Sequence, residues 1–249
     1  MGSLDNKVAI ITGGNSGIGF SMAKLFAAEG AEVIIVGRRE EAVNAAREAL
    51  GGAVVGMVGD AADPETHHRV TDLVHQRFGS ADIYVANAGT NVIAPTSAVT
   101  LADYDAQFAV NTRAVFLGVQ AIVPRLNDGA SVILMSSAAT AKVMDGHAAY
   151  AGAKAAIEAF ARSWALEFKD RRIRVNVLSP GPVKTPILTK LGISEEALPG
   201  FEAQVAAAIP LGRLGRPDEL AQAALFLASE ASSFVTGVNL RVDGGIALT

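Results

Sequence analysis

The chain has 249 residues, half of them hydrophobic, with 25 glycines, no cysteine and a formal net charge of −4. That length accommodates one α/β domain with a substantial core, and the lack of cysteine excludes disulfides, thiol catalysis and thiolate zinc sites. The mild negative charge gives no electrostatic basis for binding nucleic acid or acidic membranes.

Apolar runs are broken by Gly, Asp or Arg well short of about 18 residues, so no membrane span is expected. The N-terminal MGSLDNKVAIITG enters a strand at once and carries no signal peptide, which fits a cytoplasmic location. Of the four histidines, His67, His68 and His75 share one polar helical stretch and read as solvated side chains rather than metal ligands. A metal-dependent mechanism is therefore not expected.

Short apolar runs alternate with longer helical patterns along the whole sequence, which predicts a doubly wound, Rossmann-type parallel sheet of about seven strands with helices on both faces. KVAIIT (7–12) reads as a buried strand, followed by a glycine-rich turn and a helix over 17–29. A second strand (31–37) and helix (40–50), a third strand (53–59) and helix (65–78), and a fourth strand (81–89) follow. One long helix over 101–126 leads to a fifth strand, 130–137, and a helix from Tyr150 to about Lys169 leads to a sixth, 172–179. Residues 187–208 read as one or two mobile helices that would close over a ligand as a lid. A helix over 217–229 begins with Pro at its first turn, and a seventh strand over 238–245 closes the chain. No linker, repeat or second core interrupts 1–249, so one domain is expected, with ligands outside the carboxyl ends of its strands.

The first of those ends carries TGGNSGIG (12–19) between a clear strand and a clear helix. Glycines there let backbone approach a pyrophosphate while the helix N-terminus offers free N–H groups and partial positive charge. Gly13, Asn15, Ser16, Gly17, Ile18 and Gly19 are the expected contacts. After the second strand, where an NAD site places a carboxylate for the ribose hydroxyls, the chain has Gly37-Arg38-Arg39. Guanidinium groups suit a 2′-phosphate, which favours NADP(H) and still permits NAD(H). Asp60 could accept from an adenine amino group or serve its own turn. Asn87-Ala88-Gly89 ends the fourth strand with residues suited to close backbone approach.

Chemistry concentrates in SAATAKVMDGHAAYAGAK (137–154). Tyr150 and Lys154 are four residues apart and so lie one above the other on a helix. An ammonium within about 4 Å, at an effective dielectric of about 20, favours phenolate by roughly 4 kcal/mol, near three pKa units, enough to bring a phenol toward neutrality. Ser137 ends the preceding strand.

TGGNSGIG, Asn87-Ala88-Gly89, Asn111, Ser137, Tyr150-x-x-x-Lys154 and Pro180-Gly181 together resemble, in order and spacing, the short-chain dehydrogenase/reductase family over essentially the whole chain. Ala86 departs from the asparagine many members have there. The resemblance implies that Tyr150 is the general acid in ketone reduction and the base in alcohol oxidation. It implies that Lys154 lowers the phenol's pKa and holds the nicotinamide ribose. Ser137 would hold the substrate carbonyl, and Asn111 a water connecting Lys154 to solvent. Pro180, Gly181, Val183 and Thr185 would meet the nicotinamide end. It also implies a homotetramer, for which apolar residues such as Val110, Val115, Phe116, Phe160 and Trp164 would serve.

The expected substrate wall comprises Asn91, Val143, Met144, His147, Ile187, Leu188 and Leu191, mostly apolar, which suits a hydrophobic ketone or secondary alcohol. An alternative is reduction of 3-oxoacyl chains on acyl carrier protein, which needs a basic surface. Lys169, Arg171 and Arg172 supply one side of it, and Arg125 alone the other. A catalytically silent nucleotide sensor is the third reading, against which the intact Ser137, Tyr150 and Lys154 stand.

Overall fold

The computed structural model describes residues 2–185, 194 and 196–249. Among the described residues seven strands form one parallel sheet: β1 (Val8–Thr12), β2 (Glu32–Gly37), β3 (Val54–Val58), β4 (Ala81–Ala86), β5 (Leu126–Met135), β6 (Arg174–Pro180) and β7 (Asn239–Val242). They lie in the order β3-β2-β1-β4-β5-β6-β7. The chain winds outward from β1 to β3, returns to place β4 beside β1, then winds the other way. The reversal opens a crevice at the carboxyl ends of β1 and β4, where doubly wound proteins bind ligands.

Helices cover both faces. On one side α1 (Gly17–Ala28), α2 (Glu40–Leu50) and α8 (Pro217–Ala228) pack on Ala9, Ile11, Val33, Ile35 and Ile133. On the other, α3 (Pro64–Arg77), α5 (Ala114–Ile122) and α6 (Ala148–Glu167) pack on Ile10, Ile34, Tyr84, Val132 and Val175. Successive strand residues point to opposite faces, so a strand covered on both sides reads as an unbroken apolar run. That is why Ala9, Ile10 and Ile11 are all fully buried although they serve different cores. A further helix, α7 (Leu198–Ala207), follows the undescribed stretch.

Three expectations are corrected. The helix expected over 101–126 is divided: α4 (Leu101–Phe108) passes through a π turn at Ala109–Arg113 before α5 begins. A π turn inserts a residue and re-aims the side chains around it, and here it carries the fully buried Asn111. The run Leu101–Arg125 is long and apolar enough, at a mean hydropathy of 1.2, to cross a membrane by length and composition alone, but inside the protein it buries the polar Gln107 and Asn111. Strand β5 starts at Leu126 and ends at Met135, four residues before and two before the expected limits of 130–137. Its partner β6 starts at Arg174, and Ser136 adds one more backbone bond to Leu178 O (2.9 Å) before the chain turns. Finally, His67 is buried rather than solvated, bonding the carbonyl of Ala61 at 2.8 Å, and burial lowers its pKa. Hydrophilic neighbours on α3 hid the one face that packs on α5.

One buried side chain fixes the crevice. Thr12 Oγ1 accepts from the backbone N–H of Asn87 and of Ala88, both at 3.0 Å, and contacts Val85 O at 3.4 Å. Asn87 returns the link by donating Nδ2 to Thr12 O (2.9 Å) and Gly13 O (3.2 Å). The end of β1 is thereby stitched to the end of β4. Thr12→Val keeps the shape and leaves two enclosed N–H groups without their acceptor, so it should lower unfolding stability by about 2–4 kcal/mol, while Thr12→Ser should recover most of it. Urea denaturation of the three proteins checks this, and a loss under about 0.5 kcal/mol for valine would contradict it.

Candidate active site

The glycine turn after β1 is shaped by close backbone packing. Gly13 has φ +66°, a conformation open to glycine. A side-chain carbon at Gly19 would lie 2.3 Å from the Gly13 carbonyl oxygen and 2.6 Å from Asn87 Nδ2, so only hydrogen fits. Ser16 is the N-cap of α1 yet makes no capping bond with its side chain, and the first turn holds no acidic residue. The N–H groups and partial positive charge of this helix end are left for an anion. Ile18 packs on the core beneath, and Asn15 fills the space beside Gly37, where a side-chain carbon would be 2.3 Å from its Oδ1.

The exposed Arg38 reaches Asp60 Oδ2 at 4.0 Å, and Asp60 Oδ1 accepts from Ala62 N at 2.9 Å. Arg39 is exposed at the start of α2. Two guanidinium groups therefore stand at the outer end of β2, where the carboxylate expected for NAD is missing. The turn at Arg38–Asp60 and the N-terminus of α1 fit the phosphates and adenosine of a dinucleotide.

The second half of the crevice lies over β4, β5 and α6. Ser137, two residues past the end of β5, caps a short helical turn by accepting from Ala139 N at 3.1 Å. Its side chain lies near enough to Tyr150 to pull the phenol's pKa downward. One turn along α6 the Lys154 ammonium is buried and donates to Met135 O at 2.8 Å. The Gly89 backbone covers it: a side-chain carbon on Gly89 would lie 3.4 Å from Lys154 Nζ and 3.2 Å from Asn111 Oδ1. Ser137, Tyr150, Lys154, Asn111 and the Asn87–Gly89 turn are thus brought together. Asn111 holds the segment after β4 with both amide ends, accepting from Thr90 N (3.0 Å) and donating to Thr90 O (2.8 Å).

Burial governs both titrating groups. It raises the Tyr150 phenol above its ordinary value, and the Ser137 side chain offsets part of that rise. It lowers Lys154 to about 8. The Tyr150–Lys154 spacing predicts that the ammonium brings the phenol toward neutrality. In the structure that ammonium bonds the Met135 carbonyl, and desolvation outweighs other influences on Tyr150.

The remaining expected residues divide. Pro180 ends β6, and Gly181 N donates to Val242 O (3.1 Å). The Val183 side chain is buried in the core beneath, paired with Gly215 in a short bridge, and Thr185 is half-buried. His147 is half-buried, bonds Asp145 O at 2.7 Å, and its ring centre is 6.4 Å from that of Tyr150. Val143 is 95% exposed, so the wall expected there is an open rim with Met144 half-buried beside it. Ile187, Leu188 and Leu191 lie outside the described residues, as does most of the first half of the expected lid. At its far end Val205 and Ile209 pack on Ala138 and Ile246, which ties α7 to the turn after Ser137.

Two contributors were missed. Ser136 Oγ donates to Glu158 Oε1 at 2.8 Å, which braces the end of β5 against α6. Gln107 is buried and accepts from Val92 N at 3.2 Å. Each lies one helical turn from a residue singled out, Glu158 after Lys154 and Gln107 before Asn111, and that spacing was the available signal.

A crevice with an open helix N-terminus at one end and a hydroxyl, a phenol and a buried ammonium at the other defines a dinucleotide-dependent oxidoreductase of the Rossmann class. The comparisons agree. The sequence pattern described as enoyl-(acyl carrier protein) reductase matches residues 13–247. The chain is 40% identical to oxidoreductase asL5 of Sarocladium schorii, over 98% of this chain and 97% of the relative. It is 37% identical to 3-oxoacyl-[acyl-carrier-protein] reductase FabG of Thermotoga maritima, over 98% and 99%. A solved short-chain dehydrogenase/reductase from Serratia marcescens superposes with a TM-score of 0.90 at 32% identity, covering 98% of this chain and 99% of that one. The protein belongs to the short-chain dehydrogenase/reductase family and is an oxidoreductase using a nicotinamide cofactor, NAD or NADP.

Lys154 supplies a stability test. Its pKa falls from 10.5 when free to about 8 in the fold. The unfolded chain thus binds more protons between those values, and this group's contribution rises with pH across that window. Below pH 8 the enclosed charge costs roughly 3 kcal/mol, offset in part by the bond to Met135. Lys154→Met should therefore be at least as stable as the parent at pH 7, with its advantage shrinking toward pH 10. Thermal melts at both pH values check this, and a variant several degrees less stable at pH 7 would contradict it.

Proposed function

We propose that the chain is an NADP(H)-preferring carbonyl reductase and alcohol dehydrogenase that interconverts hydrophobic ketones and secondary alcohols. The observation that carries this reading is the buried Lys154 one turn from Tyr150 on α6, with the Ser137 side chain acting on the phenol. When bound, the nicotinamide supplies or takes the hydride at the carbonyl carbon. Ser137 donates a hydrogen bond to the carbonyl oxygen and stabilises the charge that grows there. Tyr150 gives that oxygen its proton, and the phenolate it becomes is stabilised by the Lys154 ammonium one turn away. In oxidation the same proton returns to the phenolate. Asn111 keeps the Thr90 segment in place around Lys154. Arg38 and Arg39 support NADP(H) over NAD(H), since a 2′-phosphate suits guanidinium groups.

The direction of the Tyr150 shift has a consequence. A phenol raised by burial holds its proton at neutral pH, the form that reduction needs. Oxidation needs phenolate, which accumulates only as pH rises.

A second reading is reduction of 3-oxoacyl groups on acyl carrier protein, favoured by the name of the Thermotoga relative. The basic surface it needs is thinned because the Arg171 guanidinium is engaged by Asp128, Val123 O and Leu126 O. We further propose a homotetramer. Phe116, Phe160 and Trp164 cluster with ring centres 5.3–5.8 Å apart, and Phe116 remains exposed beside a groove lined by Phe108 and Arg113.

Nucleotide oxidation with aryl ketones and with a thioester-linked 3-oxoacyl substrate tests these readings. NADPH should outperform NADH, reduction should hold steady from pH 6 to 8, and oxidation should climb with pH. Tyr150→Phe should bind NADPH as the parent does and lose about a thousandfold or more in turnover. A thioester preference of orders of magnitude would select the carrier-protein reading, and NADPH binding without reduction of any ketone or thioester would favour a silent sensor.

A further inference from the structure

The segment after β4 is pinned to the helix below it at alternate residues. Asn111 holds Thr90 at both backbone atoms, and Gln107, one turn earlier, holds Val92 N through Oε1 at 3.2 Å. Both carboxamides are fully buried, at 0% exposure. Further along, Ala94 N donates to Gly146 O at 3.0 Å. The segment therefore runs as a strap from the cover over Lys154 to the loop that carries His147 and leads into Tyr150.

Two polar atoms of this strap region have no hydrogen-bond partner among the described residues: Gln107 Nε2 and Asn91 Oδ1. Both are enclosed. One is a donor and the other an acceptor, and they belong to the residue holding Val92 and to the residue preceding Val92. An enclosed donor without an acceptor disfavours the arrangement that contains it. Bringing these two together would satisfy both atoms.

We infer that Gln107 is a positioning residue for the substrate wall: its Oε1 fixes Val92, and its Nε2 is the donor onto which the Asn91 carboxamide closes when a ketone fills the site. The strap then has two settings, an open one with both atoms unpartnered and a closed one with the Gln107–Asn91 bond made. Asn111 remains fixed in both and serves as the hinge end. Closure is linked to substrate occupancy, so losing the bond weakens substrate binding more than it slows the proton transfer at Tyr150. This inference rests on the reading of the site as a ketone reductase.

The test combines hydrogen exchange of the peptide spanning 89–95 with steady-state kinetics on the NADPH-loaded enzyme. Gln107→Met is close in volume and lacks both polar atoms, and Asn91→Ala changes a half-buried loop residue. In the free protein Gln107→Met should speed exchange at Val92 by about tenfold or more, because the acceptor is gone. Each single substitution should raise the KM for an aryl ketone about tenfold, with kcat within about threefold, and the double variant should show no further rise. Gln107→Glu, which keeps an acceptor for Val92, should restore slow exchange. Unchanged exchange in Gln107→Met, or KM effects that multiply in the double variant, would overturn the inference. Should Gln107→Met not fold, Asn91→Ala decides alone, and an unchanged KM in it overturns the pairing. A parent enzyme that reduces no ketone would instead sink the proposed function, while the exchange comparison would still decide how Gln107 holds Val92.

Discussion

The arrangement of the site depends on holding an ammonium group inside a protein. Moving a lysine charge out of water is costly unless something replaces its hydration, and Lys154 meets that need with the carbonyl of Met135 at the end of β5. That bond places the end of a central strand and a turn of α6 at a fixed separation. Ser137 then follows on the strand side and Tyr150 on the helix side, where the serine side chain acts on the phenol. The backbone of Gly89 closes over the ammonium from β4. A phenol and a cation from α6 and a hydroxyl from the end of β5 are in this way delivered to one end of the sheet, beside the helix N-terminus that β1 feeds.

The same constraint accounts for polar residues in otherwise apolar packing. The side chains of Thr12, Asn87, Asn111 and Gln107 each bond to backbone at the crevice rather than to one another's side chains. Their carboxamides and hydroxyl occupy the ends of strands, where ladder bonding stops and N–H and C=O groups would otherwise be left without partners. They hold the loops that a ligand must meet, and the glycines among them let those loops approach one another.

Much of this was legible in the residues. Unbroken apolar runs signalled strands buried on both faces, and alternation with helices signalled the parallel sheet. TGGNSGIG, Asn87-Ala88-Gly89 and the Tyr150–Lys154 spacing marked the crevice, because local conformation ties each to a strand end or a helix face. What escaped depended on tertiary contact. The π turn at Ala109–Arg113 follows from the fit of Asn111 to Thr90, which no local pattern encodes. Burial of His67 reflects packing of α3 on α5, and the inward role of Gln107 reflects the path of the strap. The electrostatics of Tyr150 likewise depend on tertiary contact. Spacing gave the presence of the cation, whereas the depth of the site and the carbonyl that engages the cation decide which influence prevails.

Burial keeps Tyr150 protonated at neutral pH, and the Ser137 side chain moderates the shift. Titration of Tyr150 by carbon-13 NMR, with the ring carbon next to the hydroxyl labelled, tests this in the parent and in Ser137→Ala. The midpoint should lie above the ordinary phenol value of 10 in the parent and higher still without the serine hydroxyl. A midpoint near neutrality in the free enzyme, or a lower one in Ser137→Ala, would contradict it.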